Sequence, residues 1–335
     1  MLKFAIIGFG GLGRSHFRNM IHLSKETGGI SLTAICDVDE SRFTQQISTN
    51  LGANQVPLDL SAYNLYSDVD DLLANEDLDF VITALPTYLH AEIAIKALEK
   101  GIHVFSEKPM ARTPEECVAM ITAAEKNGCM LMIGHCLRYF PQYVKLKEYI
   151  DSKAFGDVIR AEFFRYSATP LWSWENWLMD FEKSGGAALD MHIHDVDFVQ
   201  WVFGLPKAVT SFATHRVSKF DSIFTTYHYD DKLVSSACDW GLVSSFSFRP
   251  EFLVRFENAV VDFIAGTLKV YPHEGKAYDV QLDNVNGYVA EVQDFISCIK
   301  ANQMSKKNPP RSALDSVRLV FAEMSSAEKG EKVIV

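Results

Sequence analysis

Three stretches of the sequence hold residues whose type and spacing suit chemistry. The first is the opening, MLKFAIIGFGGLGRSH, in which Gly8, Gly10 and Gly13 give G-x-G-x-x-G directly after the apolar run Phe4–Ile7. Gly8 permits a tight turn, Gly10 lets backbone approach a pyrophosphate, and Gly13 lets a helix pack close on the strand. The loop Gly8, Phe9, Gly10, Gly11, Leu12 and Gly13 then presents unpaired N–H groups and a positive dipole end to an anion. The second stretch is Glu107-Lys108-Pro109, after the apolar run Ile102–Ser106. Ligands of open parallel sheets bind at the carboxyl edge, where a desolvated lysine polarises or protonates a substrate oxygen. Pro109 restricts Lys108 to an extended backbone.

The third stretch is GGAALDMHIHDVD, Gly185–Asp197. On a helix Asp190, His194 and Asp197, at i, i+4 and i+7, lie within about 60° of one another. A carboxylate one turn from an imidazole orients a general base and favours its charged form. His192 falls roughly opposite and Asp195 also lies off that face. The five potential ligands therefore do not converge, and the H-E-x-x-H spacing of helical zinc sites is missing, so no metal is expected.

The elements that must position these groups follow from the pattern. Ser31–Asp37 reads as a second apolar strand ending in an acid, 24 residues after Gly13. Such an acid accepts from an adenosine ribose 2′-OH and repels a 2′-phosphate, which favours NAD, while Arg42 nearby softens the preference towards NADP. Helices are expected over Glu40–Asn50, Asp68–Asn75, Leu89–Lys100 and from Thr113 to about Asn127, and strands over Leu78–Leu85, Ile102–Ser106 and Met130–Gly134. This alternation implies an α/β, doubly wound parallel sheet over residues 1–135. From 136 to 335 the texture changes: short β runs between Ala208 and about Val280 follow one another without helices. They imply an α+β domain with a large open antiparallel sheet. Two helices, Gly287–Ala301 and Ser312–Gly330, close the chain, the last a candidate to pack back on the first domain.

Composition narrows the classes. The 335 residues are 48% hydrophobic and 22% charged, with a net charge of −11 and no basic run, which argues against nucleic acid or an anionic membrane as partner. No signal peptide or membrane span is read. Six scattered cysteines without C-x-x-C spacing fit reduced thiols and a cytoplasmic location.

With those motifs in order, the chain resembles the Gfo/Idh/MocA oxidoreductases (glucose–fructose oxidoreductase, inositol 2-dehydrogenase and relatives). The resemblance rests on GFGGLGRSH, on Thr83-Ala84-Leu85-Pro86-Thr87 with His90, and on EKP at Glu107–Pro109. It continues through RYFP at Arg138–Pro141, GGAALDMHIHDVD, and YVAEVQDFISCI at Tyr288–Ile299. It implies a Rossmann domain holding NAD(P) through the glycine loop, Asp37, Arg42, Leu85, Pro86, His90, Glu107 and Lys108. It also implies a lysine–aspartate–histidine set, here Lys108, Asp190 and His194, acting on a sugar or polyol hydroxyl. Arg138, Tyr139, Trp172, Trp174 and His192 are further candidates for substrate contact, the tryptophans by stacking on a sugar face. The sheet resembles surfaces through which the family forms dimers or tetramers. Two other classes compete: a hydrolase or lyase that holds and recycles NAD, and a non-catalytic NAD-binding sensor.

Overall fold

The structure, a computed structural model, describes residues 1–45 and 58–335. The chain divides into two compact units, Met1–Gly134 with Tyr288–Arg311, and His135–Gly287 with Ser312–Val335.

In chain order the first unit runs β1 (Leu2–Ile7), α1 (Gly11–Thr27), β2 (Ile30–Cys36), β3 (Asn64–Tyr66), α2 (Val69–Asn75), β4 (Phe80–Thr83), α3 (His90–Glu99), β5 (His103–Glu107), α4 (Pro114–Asn127) and β6 (Leu131–Gly134). Among the described residues its sheet has six parallel strands in the order β3-β2-β1-β4-β5-β6. Strand order therefore reverses beside β1, where a doubly wound sheet binds its ligand. The apolar run after Lys3 is buried on both faces, with Phe4, Ala5, Ile6 and Ile7 at most 1% exposed. Gly28, at φ 60°, ends α1 in the left-handed region, and Thr113 with Glu116 caps α4 reciprocally. The expected helix Glu40–Asn50 begins instead as a 3₁₀ turn, Glu40–Phe43, nucleated by the Asp39 side chain accepting from Ser41 N. Thr44 and Gln45 continue as a turn and a bend, and residues 46–50 lie outside the described residues.

The second unit begins with α5 (Pro141–Asp151), β7 (Val158–Ala168), α6 (Phe181–Ser184) and α7 (Ile193–Phe203). It continues through β8 (Ala208–Thr214), β9 (Ser222–His228), β10 (Leu233–Leu242), β11 (Arg249–Phe256), β12 (Ala259–Ile264), β13 (Thr267–Pro272) and β14 (Tyr278–Asp279). After α8 (Gly287–Ala301) come α9 (Pro310–Lys329) and β15 (Val333–Ile334). Among the described residues this sheet has nine strands, β14-β13-β12-β11-β7-β10-β9-β8-β15. It is mixed rather than wholly antiparallel, because β7 and β10 pair in parallel.

The division between units differs from a single cut near residue 135. The segment Tyr288–Arg311 goes with the first unit, where Phe295 sets its ring edge-on to Phe80 and Phe105 and, with Val292, is fully buried. The last helix, from Ser312, stays with the second unit.

Candidate functional site

The candidate groups fall into two sets, one in each unit. In the first, Gly8 has φ +91°, and a Cβ there would come within 2.4 Å of Ala84 O. A Cβ on Gly13 would lie 1.9 Å from Gly8 O, so helix and loop are as close as backbone allows. Gly10 is different: a Cβ there would meet nothing within 4 Å. The space in front of Gly10 is therefore not needed by the fold, as expected if a dinucleotide pyrophosphate fills it. The first turn of α1 holds no acid and Gly10 brings no capping side chain, which leaves its N–H groups for an anion.

Asp37, just past β2, anchors the loop: its Oδ2 accepts from Phe9 N at 2.6 Å and its Oδ1 from Asp39 N at 2.9 Å. Each carboxylate oxygen accepts more than one hydrogen bond, so the 2′-OH role stays open to it. Arg42 is drawn to Asp39, Nε to Oδ2 3.2 Å. Arg14, which the sequence did not single out, donates to the carbonyls of Arg42 and Gln45 and lies over the Phe9 ring. Burial lowers the Arg14 pKa, and Arg18 and Arg42 lower it further.

His90 is buried, and both ring nitrogens face carbonyls: Nδ1 to Pro109 O at 2.7 Å and Nε2 to Leu85 O at 2.8 Å. It straps the loop after β4 to the Glu107–Pro109 turn. Leu85 and Pro86 themselves are half-buried. Glu107 is buried too, with His16 Nε2 2.7 Å from its Oε1 and Lys108 N donating to its Oε2 at 3.3 Å. Lys108 is half-buried, and the Lys108–Pro109 peptide is cis. Glu107 thus holds the turn from inside.

Glu291, on α8, is fully buried, and neither carboxyl oxygen has a hydrogen bond among the described residues. Burial, and then the charge of Glu107, raises its pKa well above the usual 4.5. The folded state then keeps a proton that the unfolded chain releases above pH 4.5, so the stability this group contributes is complete below that pH and erodes as pH rises. Glu291→Gln, which has nothing to ionise, is expected to gain Tm relative to the parent as pH goes from about 5 to about 8. Parallel thermal melts check it, and a constant difference in Tm would refute the buried acid.

In the second unit Gly185 and Gly186 both have positive φ, and a Cβ on Gly186 would come within 2.2 Å of Lys219 O. They launch a π-helical turn, Ala188–His192, that runs into α7. From Ser184 to Gln200 every residue is buried except Asp190 and His194. The pair one turn apart is therefore what this segment presents. Cys136 Sγ lies 3.9 Å from His194 Nδ1.

The neighbouring acids have other duties. Asp197, expected on the same face, is buried in a bidentate pair with Arg138, Nε to Oδ2 2.9 Å and Nη2 to Oδ1 2.7 Å, and Ser316 donates to Oδ1 at 2.8 Å. Burial pushes its pKa up, but Arg138, His135 and Ser316 outweigh that and hold it below the usual 3.8. Asp195 pairs with Arg165 at 2.8 and 2.9 Å; burial disfavours the Arg165 charge and Asp195 more than restores it. Of the further residues expected at the substrate, Arg138 and His192 are fully buried and Tyr139 nearly so. Trp172 is 57% exposed, and Trp174 and Trp177 are half-buried. Among the described residues no group of three or more His, Cys, Asp or Glu is placed to hold a metal ion. No helix of the described residues is long and apolar enough to cross a membrane.

Comparison with known proteins agrees with this layout. Residues 2–135 match the profile of an oxidoreductase family with an NAD-binding Rossmann fold, and residues 143–267 match the GFO/IDH/MocA C-terminal domain. The 2,7-anhydro-N-acetylneuraminate hydratase of Mediterraneibacter gnavus is 31% identical over 285 residues, 80% of this chain and 69% of that protein. The inositol 2-dehydrogenase of Salmonella typhimurium is 31% identical over 204 residues, 60% of this chain and 54% of that protein. The match with the latter thus spans about half of the relative's length. Among solved structures, a levoglucosan dehydrogenase in complex with NADH and levoglucosan superposes with a TM-score of 0.83 at 20% identity, covering 100% of this chain and 99% of that one. At that identity the likeness concerns the fold.

Proposed function

The chain belongs to the Gfo/Idh/MocA oxidoreductase family, with an NAD-binding Rossmann domain, and from that premise we propose that it oxidises a CH–OH group of a sugar, polyol or inositol, or reduces the corresponding ketone. The observation that carries the reading is that Asp190 and His194 alone are only half-buried in an otherwise buried segment. NAD, with NADP as the alternative, supplies the hydride acceptor when bound. The residues fit such a group: open space at Gly10, a helix N-terminus without a side-chain cap, and an acid at the end of β2.

The chain's own part is proton transfer and positioning. His194 takes the hydroxyl proton as the carbon loses its hydride, and Asp190 orients either the substrate or the imidazole. Lys108, held by its turn, stabilises charge that develops on the substrate oxygen. Trp172 and Trp174 offer faces on which a sugar ring can stack. The test is NADH formation, followed by absorbance, against free sugars, inositols, sugar acids and glycosides, with NAD and NADP run separately. Accumulation with no member of the panel counts against the dehydrogenase.

The relative named a hydratase supports a second reading, in which tightly held NAD is reduced and reoxidised within one turnover. Cofactor retained through purification, with product formed and no net NADH, favours it. The outer face of the nine-stranded sheet supports association with a second copy. Phe212 and Phe224 are cross-strand partners at 66% and 44% exposure, and Leu233 is 67% exposed. Phe212→Lys with Phe224→Lys is expected to lower the mass in light scattering to that of the single chain; an unchanged mass rejects this face.

A further inference from the structure

His192 stands midway in sequence between the two half-buried residues and is itself fully buried. Its Nε2 lies 3.0 Å from Glu323 Oε2 on α9, and both side chains are 0% exposed. Ser236 Oγ on β10 is 3.3 Å from the same nitrogen and 2.7 Å from Tyr227 OH. A buried pair of ionisable side chains is an expensive way to fill a core, since apolar residues of the same volume often do as well or better. Its best-attested use is to select one register of packing.

The remaining ties between α9 and this segment fall into such a register. Ser316 donates to Asp197, and Gln200 donates to Ser312 O at 3.1 Å and Ser312 Oγ at 2.7 Å. As the numbers rise from the π-helical turn into α7 (192, 197, 200), those on α9 fall (323, 316, 312), which is an antiparallel ladder of polar contacts. Ser312, Ser316 and Glu323 are spaced by four and seven residues, so one face of α9 supplies all three. The rung at His192–Glu323 is the one inside the π-helical turn. Such a turn is uncommon and inserts one residue into the helical phase, so it needs a contact that fixes it.

We propose that His192 and Glu323 are positioning residues: their buried pair locks the π-helical turn in the register that brings Asp190 and His194 out together. The proposal rests on the reading that those two residues act on substrate. It assigns His192 a role inside the unit, and it gives α9, far away in sequence, a part in the chemistry.

The experiment separates positioning from mere stability. His192→Leu and Glu323→Met each leave one buried polar group without its partner, and both are expected to lower Tm. The double variant removes both groups and leaves Tyr227 and Ser236 bonded to each other, so Tm is expected to recover substantially. The decisive readout is the imidazole ¹⁵N resonances of His194, assigned by comparison with His194→Gln. In the double variant they are expected to stay displaced from wild type, with turnover still down by roughly tenfold to 100-fold and KM for NAD unchanged. Wild-type His194 resonances together with wild-type turnover in the double variant overturn the proposal. Glu323→Asp guards against a double variant that does not fold: it keeps the carboxyl group and shortens the reach by one methylene. Displaced His194 resonances in that variant support positioning, and unmoved ones refute it. The resonances need no substrate, so a wild type that oxidises no polyol overturns the functional reading without touching this test.

Discussion

Lys108→Ala and His194→Ala are each expected to reduce turnover by roughly 10²-fold or more while NADH binds as it does to the intact chain. The expectation follows from what holds each residue. The turn carrying Lys108 is set by His90, through Pro109 O and Leu85 O, and by Glu107 with His16, none of which depends on the lysine side chain. His194 emerges from a segment whose fold is fixed by the pairs Arg138–Asp197, Arg165–Asp195 and His192–Glu323. Truncation of either side chain therefore removes chemistry and leaves both units standing. The two measurements are initial rates with the substrate found in the panel and a fluorescence titration with NADH. If both variants turn over at the parent rate, the acid–base assignment is wrong. If rate and NADH affinity fall together, the residue serves cofactor binding instead. The same variants serve the second reading, with product release in place of NADH as the readout.

What the sequence made legible here is what acts over short range. The glycine loop could be read because its demands, a positive φ at Gly8 and backbone contact at Gly13, are met within a few residues. The apolar strands and the amphipathic helix read over Leu89–Lys100 were legible for the same reason. β3 escaped because three residues at a sheet edge, mostly exposed, leave no period to detect. The assignment of α8 to the first unit also escaped, since an amphipathic pattern says that one face is buried and not against which core. The helical wheel placed Asp197 beside His194, but Arg138, from a segment far off in the chain, claims the acid. The wheel also set His192 apart from the acid–base face without showing its partner, because Glu323 lies 131 residues along the chain. Side-chain pairs of that separation carry no local signature.

Two substitutions in one loop separate folding from cofactor binding. Gly13→Ala is expected to destabilise the first unit by about 3 kcal/mol or more, because the new methyl would lie 1.9 Å from Gly8 O and 2.9 Å from Gly8 C. Both are backbone atoms of a loop that is itself tied down, with Gly8 N bonded to Cys36 O at 2.8 Å and Ala84 N to Ile7 O at 2.8 Å. Relief would need α1 to move off the sheet. Gly10→Ala meets no atom within 4 Å, and Gly10 has φ −70°, which any residue adopts. Stability is then expected to stay within about 0.5 kcal/mol of the parent. The same methyl would occupy the space through which a pyrophosphate reaches the N-terminus of α1, so NADH affinity should fall at least about tenfold, some 1.4 kcal/mol. Melting curves and NADH titrations on the two variants give four numbers. A Gly10→Ala protein that binds NADH normally would place the pyrophosphate elsewhere. A Gly13→Ala protein of normal stability would mean that α1 and the loop are less closely packed than their backbone positions require.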